Sequence, residues 1–197
     1  MIKVALFDLD GVVIVGRDKL FSQRAAEDLN ISNDQIMEFF NKDFRECSFG
    51  RADLKEKISP YLKKWNYNGT VDDFLNYWFS GEGVVDMEVI NCVAQLREKG
   101  IRCFIATRQE KYRKKYLLEE VGLQKYFDGI MCTCDIGFDK WETGYWDYVF
   151  KELNVSPEEI IFFCDSQKNI DNSGKIGVQA YLYTDISVLK EKMISLV

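Results

Sequence analysis

The chain contains no histidine. That single absence removes every Ser-His-Asp and Cys-His hydrolase and leaves proton transfer to carboxylates, lysine, tyrosine or cysteine. It also weakens the case for zinc. Cys132-Thr133-Cys134 is the only closely spaced cysteine pair, and neither a second pair nor an imidazole accompanies it. The six cysteines (Cys47, Cys92, Cys103, Cys132, Cys134 and Cys164) show no disulfide-framework spacing, and most lie in apolar runs where a free thiol behaves as a small hydrophobe. An excess of basic charge is lacking too. With 26 Lys and Arg against 32 Asp and Glu the net charge is -6, which argues against a nucleic-acid partner. The one basic cluster, 111–115, reads as the solvated face of a helix, with contact to an anionic substrate or partner as the alternative. No apolar run reaches the roughly 18 residues needed to span a bilayer, so no membrane partner is expected.

What the sequence does have is an ordinary apolar share, 47% of 197 residues, enough for one α/β domain with a modest insertion. Residues 2–7 are largely apolar and run into Asp8 with no small-residue cleavage site after them. They read as a strand and not a signal peptide, and a cytoplasmic location is expected. Five apolar runs have the continuous hydrophobicity of buried parallel strands: 4–7, 102–106, 129–132, 160–164 and 179–183. Helical patterns at 86–100, 111–122, 145–153 and 169–177 alternate with them, each running to or close to a glycine or a polar turn. The alternation predicts a doubly wound, mostly parallel α/β domain. Residues 17–80 differ. Ser32 begins a capping box, Ile36, Phe39, Phe40 and Phe44 follow at helical spacing, and 53–64 and 71–79 are amphipathic, with Pro60 a potential kink. The expectation is a core of 1–16 and 81–197 carrying a helical insertion at 17–80.

Asp8 and Asp10 close the first strand. A period of two points both side chains the same way while Leu9 points opposite, and Gly11 allows a sharp turn near a ligand. In open α/β sheets, ligands bind beyond the carboxyl ends of the strands. Thr107 ends the second core strand, Lys140 follows the third and Asp165 ends the fourth. This set suits phosphoryl transfer. Asp8 is the candidate nucleophile, Asp10 the acid and base, and Thr107 and Lys140 hold phosphoryl oxygens. A divalent cation between Asp8, Asp165 and phosphate would offset their repulsion.

On these residues the chain resembles the haloacid dehalogenase-like hydrolase superfamily over essentially its full length. Asp8-Leu9-Asp10-Gly11-Val12-Val13 is similar to its first motif, Thr107 to its second, Lys140 to its third and the run beginning at Asp165 to its fourth. The resemblance implies a Rossmann-like core, a helical cap, and Mg2+ held by Asp8, Asp165 and the backbone carbonyl of Asp10. The small cap and Phe49-Gly50-Arg51 look most similar to phosphatases of small phosphorylated metabolites such as sugar phosphates, with Arg45, Arg51, Phe49 and Arg108 as substrate-binding candidates. Three positions depart from the pattern: Arg108 where Asn is common, Trp141 where Pro is common, and Cys164 where a second acid is common. A thiol at 164 offers magnesium neither charge nor hard oxygen, so weak metal binding is expected before an anionic substrate arrives.

Asp10 favours a phosphatase over a dehalogenase, because halide leaves without protonation. A phosphoglucomutase-like transferase shares all four motifs, and a binding protein that retains the fold is the non-enzymatic alternative. A receiver-type signalling domain also uses Asp, Thr and Lys at strand ends, but its phosphorylated Asp follows a later strand and it carries no early insertion.

Overall fold

The computed structural model describes residues 1–194. In chain order the strands are β1 (Val4–Phe7), β2 (Ile14–Val15), β3 (Val84–Val85), β4 (Arg102–Thr107), β5 (Gly129–Cys132), β6 (Ile160–Cys164) and β7 (Gln179–Leu182). Five of them form one parallel sheet in the order β5-β4-β1-β6-β7. The chain builds outward from β1 through β4 to β5, then returns across to β6 and β7. The reversal makes β1 the switch point, and the loops following β1, β4 and β6 open a crevice there.

Burial explains why these segments form strands. Alternate residues of β1 serve opposite faces, and all four are fully buried. Ala5 and Phe7 belong to one apolar cluster and Val4 and Leu6 to the other. The first cluster takes Val89, Val93 and Leu96 from α6 (Met87–Glu98), Leu117 from α7 (Lys111–Glu119) and Leu189 from α11 (Ile186–Ile194). The second takes Tyr145, Trp146 and Val149 from α9 (Thr143–Leu153), with Ile170 of α10 (Gln167–Lys175) packed against it. A short α8 (Thr133–Ile136) leads from β5 toward Lys140. The expected doubly wound α/β architecture is present, with strand limits within one residue of those read from hydrophobicity.

Between β2 and β3 the chain is helical: α1 (Phe21–Asp28), α2 (Asn33–Phe39), a π-helical turn (Phe40–Phe44), α3 (Arg45–Ser48), α4 (Leu54–Lys64) and α5 (Val71–Ser80). Ser32 accepts from the Gln35 amide while Gln35 reaches back to the Ser32 amide, the reciprocal cap expected from sequence. Helix α4 runs on through Pro60 as one element. These helices share a third apolar cluster, rich in aromatic rings. At its base β2 and β3 pair antiparallel, Ile14 with Val85 and Val15 with Val84. Two residues per strand are too few for an alternating pattern, so hydrophobicity alone does not reveal them.

The sheet's second face centres on Phe162, fully buried with its ring edge-on to Trp146 at 5.4 Å. Phe162→Ala removes a ring whose space neighbouring strands cannot close. Urea denaturation should show a loss of about 3–5 kcal/mol with an unchanged slope; a loss below about 1 kcal/mol would mean this face tolerates a void.

Candidate active site

Asp8 follows β1 directly and is buried, its amide donating to the Phe163 carbonyl at 2.8 Å. The Lys140 ammonium lies 2.5 Å from Asp8 Oδ1 and donates to the Ala106 carbonyl at 3.1 Å. Burial, the largest influence, pushes the Lys140 ammonium down, but the charge and hydrogen bond of Asp8 together with neighbouring Cys164 and Asp165 hold the group above its ordinary value. Asp8 Oδ1 also accepts from the Leu9 amide at 2.8 Å. Thr107, at the end of β4, is buried in the neighbouring strand.

Asp8 Oδ2 accepts from the Cys164 thiol at 2.6 Å. That thiol in turn accepts from the Asn169 amide group at 3.3 Å and the Ser166 amide at 3.5 Å. Burial and the adjacent Asp8 charge push it up to about 12, so it stays protonated. Cys164 is therefore both a buried strand residue and a donor to the nucleophile candidate. Asp165 follows it, and ligand atoms of Asp8, Cys164 and Asp165 all lie within 4.8 Å of one another. Gly11 makes this approach possible. Its φ is +84°, and a Cβ there would collide with the Asp165 carboxylate. Burial and then Asp8 raise the Asp165 carboxyl above its usual range. Two carboxylates facing one point, over a backbone with no room for a side chain, form a hard-oxygen cradle that suits a small divalent cation.

Asp10 is held differently. Its Oδ1 accepts from Arg113 at 2.9 Å and Arg17 at 3.2 Å, and its Oδ2 accepts from Gln109 at 2.8 Å. Glu82 completes the group, 3.0 Å from Arg17 and 3.5 Å from Arg24. Arg17 and Glu82 flank the helical segment in sequence, so its two ends meet at Asp10. Arg113 was expected on a solvated face with the rest of the 111–115 cluster. It is instead buried, because it shares a helix face with buried Leu117 four residues on. Lys111, Lys114 and Lys115 pair with Asp53, Asp135 and Glu119. Arg17, Gln109, Arg113 and Glu82 escaped the sequence reading. The i, i+4 spacing of Arg113 and Leu117 was the available signal.

A cavity of about 690 Å3 opens over Asp10, and Arg45 and Arg108 line it. Arg108 leans toward buried Asp139 at 3.6 Å. Arg51 and Phe49 are not among its lining residues. Arg51 is exposed, donates to the Gly137 carbonyl at 3.1 Å and borders a separate cavity, while Phe49 is buried between Arg45 and Arg51.

A parallel sheet with paired acids at its switch point, and a lysine and a third acid from neighbouring strands, gathers four ionisable groups at one crevice. The chain belongs to the haloacid dehalogenase-like hydrolase family, whose model matches residues 5–182. Its fold is similar to that of a haloacid dehalogenase family enzyme from Bacteroides thetaiotaomicron in complex with magnesium and inorganic phosphate, with a TM-score of 0.80, 18% identity, and coverage of 92% of this chain and 94% of that one. A haloacid dehalogenase family phosphatase from Thermococcus onnurineus gives 0.67 and 22% identity, covering 99% and 98%. The bifunctional epoxide hydrolase 2 of Rattus norvegicus is 22% identical over 214 residues, 96% of this chain. The match spans only 38% of that relative's length. No helix among the described residues is long and apolar enough to cross a membrane.

The electrostatic cradle carries a stability cost that can be read directly. Asp165→Asn removes one of two facing carboxylates, so in chelator the variant should melt higher than the parent at pH 7. Because the folded Asp165 carboxyl sits above its ordinary value, its unfavourable effect appears as pH rises through that range and is absent below the unfolded value. The gain should therefore fade as pH falls below about 4. A lower melting temperature at pH 7 would show that Asp165 is a stabilising residue.

Proposed function

We propose that this hydrolase is a Mg2+-dependent phosphomonoesterase acting on a small phosphorylated metabolite through an aspartyl-phosphate on Asp8. The observation that carries the reading is the pairing of Asp8, oriented by Lys140, with a second acid two residues on that faces the open cavity. Asp8, Asp165 and the Asp10 carbonyl would hold the metal; when bound, it offsets the repulsion between carboxylates and phosphate and orients the phosphoryl group. The magnesium and phosphate bound by the Bacteroides neighbour support this assignment. The protonated Cys164 thiol already occupies Asp8 Oδ2, in keeping with weak metal binding before substrate arrives.

Asp8 attacks phosphorus while the Lys140 ammonium offsets charge on the equatorial oxygens and the Thr107 hydroxyl donates a hydrogen bond to them. Asp10 gives a proton to the departing alcohol oxygen, then takes one from the water that attacks the aspartyl-phosphate. Arg17, Arg113 and Gln109 position it, and with both oxygens accepting, its geometry suits the second step. In this reading 17–80 is a cap over a core of 1–16 and 81–197, and Arg45 and Arg108 contact the leaving group from the cavity wall. Gly11 keeps the backbone close to the phosphoryl group. In this reading the protein works in the cytoplasm, where its six cysteines stay as free thiols.

Asp8→Asn should lower turnover of an aryl phosphate by at least about a thousandfold, since the amide is a poor nucleophile, while circular dichroism shows a folded chain that melts lower because the buried Lys140 ammonium has lost its counter-charge. Activity of the parent should vanish in chelator and return with Mg2+. Full activity in the variant, or indifference to the metal, would sink the proposal. Asp10→Asn should slow both half-reactions by roughly a hundredfold or more, with the phosphoenzyme persisting in acid-quenched samples. Rapid hydrolysis of that species would remove Asp10 from the water-activating step.

A further inference from the structure

The cavity over Asp10 has two unlike walls. The core side is polar, with Asp10, Gln109 and Arg113. The helical side presents an apolar stretch of Leu20, Met37, Phe40, Phe44 and Trp78 together with the polar Ser22, Asn41, Arg45 and Ser48. The rings there are mutually packed: Phe40 lies edge-on to Phe44 at 4.9 Å and to Trp78 at 5.2 Å, and Phe21 stacks on Trp78 at 4.8 Å. Phe40 and Phe44 sit at the two ends of the π-helical turn, where the backbone is wound more widely than an α-helix. Both are only half-buried. Met37 and Leu20 are 39% and 56% exposed, and both border this cavity.

The aromatic stretch of this wall is ill suited to a polyhydroxylated leaving group. Each hydroxyl pressed against Phe40, Phe44 or Met37 would lose water without gaining a partner. A flat apolar group would displace water from ring faces and edges at no such loss. Resting on the phosphomonoesterase reading above, we infer that the preferred substrate is a phosphate monoester whose leaving group carries an aromatic or heteroaromatic ring, held against Phe40, Phe44 and Trp78. The phosphoryl group then faces Asp8, and the ester oxygen faces Asp10. Hydrolysis breaks the bond between phosphorus and the ester oxygen, and the ring-bearing alcohol leaves with the proton from Asp10.

Benzyl phosphate and glucose 6-phosphate, both esters of primary alcohols, separate ring recognition from intrinsic leaving-group reactivity. With Mg2+ present, kcat/KM for benzyl phosphate should exceed that for glucose 6-phosphate by at least about tenfold. Phe44→Leu should shrink that ratio several-fold. Met37→Gln, at a more exposed position that leaves the fold intact, should shrink it as well. Equal or greater efficiency with glucose 6-phosphate would overturn the inference, as would variants that lower both esters alike. Absence of turnover with any ester would instead count against the phosphomonoesterase reading, and the ring site would still be decided by binding. Benzylphosphonate should bind at least about tenfold more tightly than methylphosphonate by calorimetry, and equal affinities would overturn it.

Discussion

Lys140 meets Asp8 at 2.5 Å in a nearly dry setting at the centre of the sheet, and much else in the molecule is arranged around that contact. A lone carboxylate at the end of a buried strand would be costly to keep ionised. The ammonium makes it tolerable on one oxygen and leaves the other directed toward Cys164 and Asp165. The arrangement demands a sheet whose third strand is followed by a turn returning a lysine to the first. β5, the short α8 and the segment to Lys140 provide it, anchored where Trp146 donates to the Lys140 carbonyl at 2.7 Å. The site is thus a consequence of strand order β5-β4-β1-β6-β7, not of any local motif alone.

Negative charge nevertheless exceeds positive charge at the carboxyl ends of the central strands. Asp8 and Asp165 share one small region, and the glycine between them and the loop leaves no side chain to separate them. In stability terms this is an unfavourable concentration, and it adds to burial in raising the Asp165 carboxyl. In functional terms it is what a cation-dependent phosphoryl site requires. The opposite solution is seen at Asp10, where two guanidiniums and an amide surround the carboxylate, and Glu82 balances the guanidiniums in turn. Two acids two residues apart therefore live in contrasting environments, a pattern suited to giving them separate chemical roles.

The continuous hydrophobicity of the core strands made the sheet legible from sequence, because helices cover both faces and every residue of β1 and β6 is buried. Asp8, Lys140 and Asp165 were placed together by strand-end logic alone. The network around Asp10 was not legible in the same way. Arg113 looks like one member of a basic surface run until the helix face it shares with Leu117 is considered, and Arg17 and Glu82 lie 65 residues apart in sequence with only the brief β2–β3 pairing to bring them near. Arg51 shows the converse. Its position beside Phe49 and Gly50 suggested substrate contact, yet the turn at Gly50 packs against the Cys134 carbonyl and sends the guanidinium to Gly137. Long-range charge pairing and loop direction are tertiary properties, and one-dimensional patterns carry little of either.

The central claim is that Asp8 becomes phosphorylated during turnover. Its most direct test is to quench the Asp10→Asn variant during hydrolysis of an aryl phosphate with Mg2+, reduce the acyl phosphate with borohydride, and map the modified residue by mass spectrometry. The account predicts conversion of residue 8 to homoserine. Continued turnover with no modification at residue 8, or with the adduct on another side chain, would contradict it.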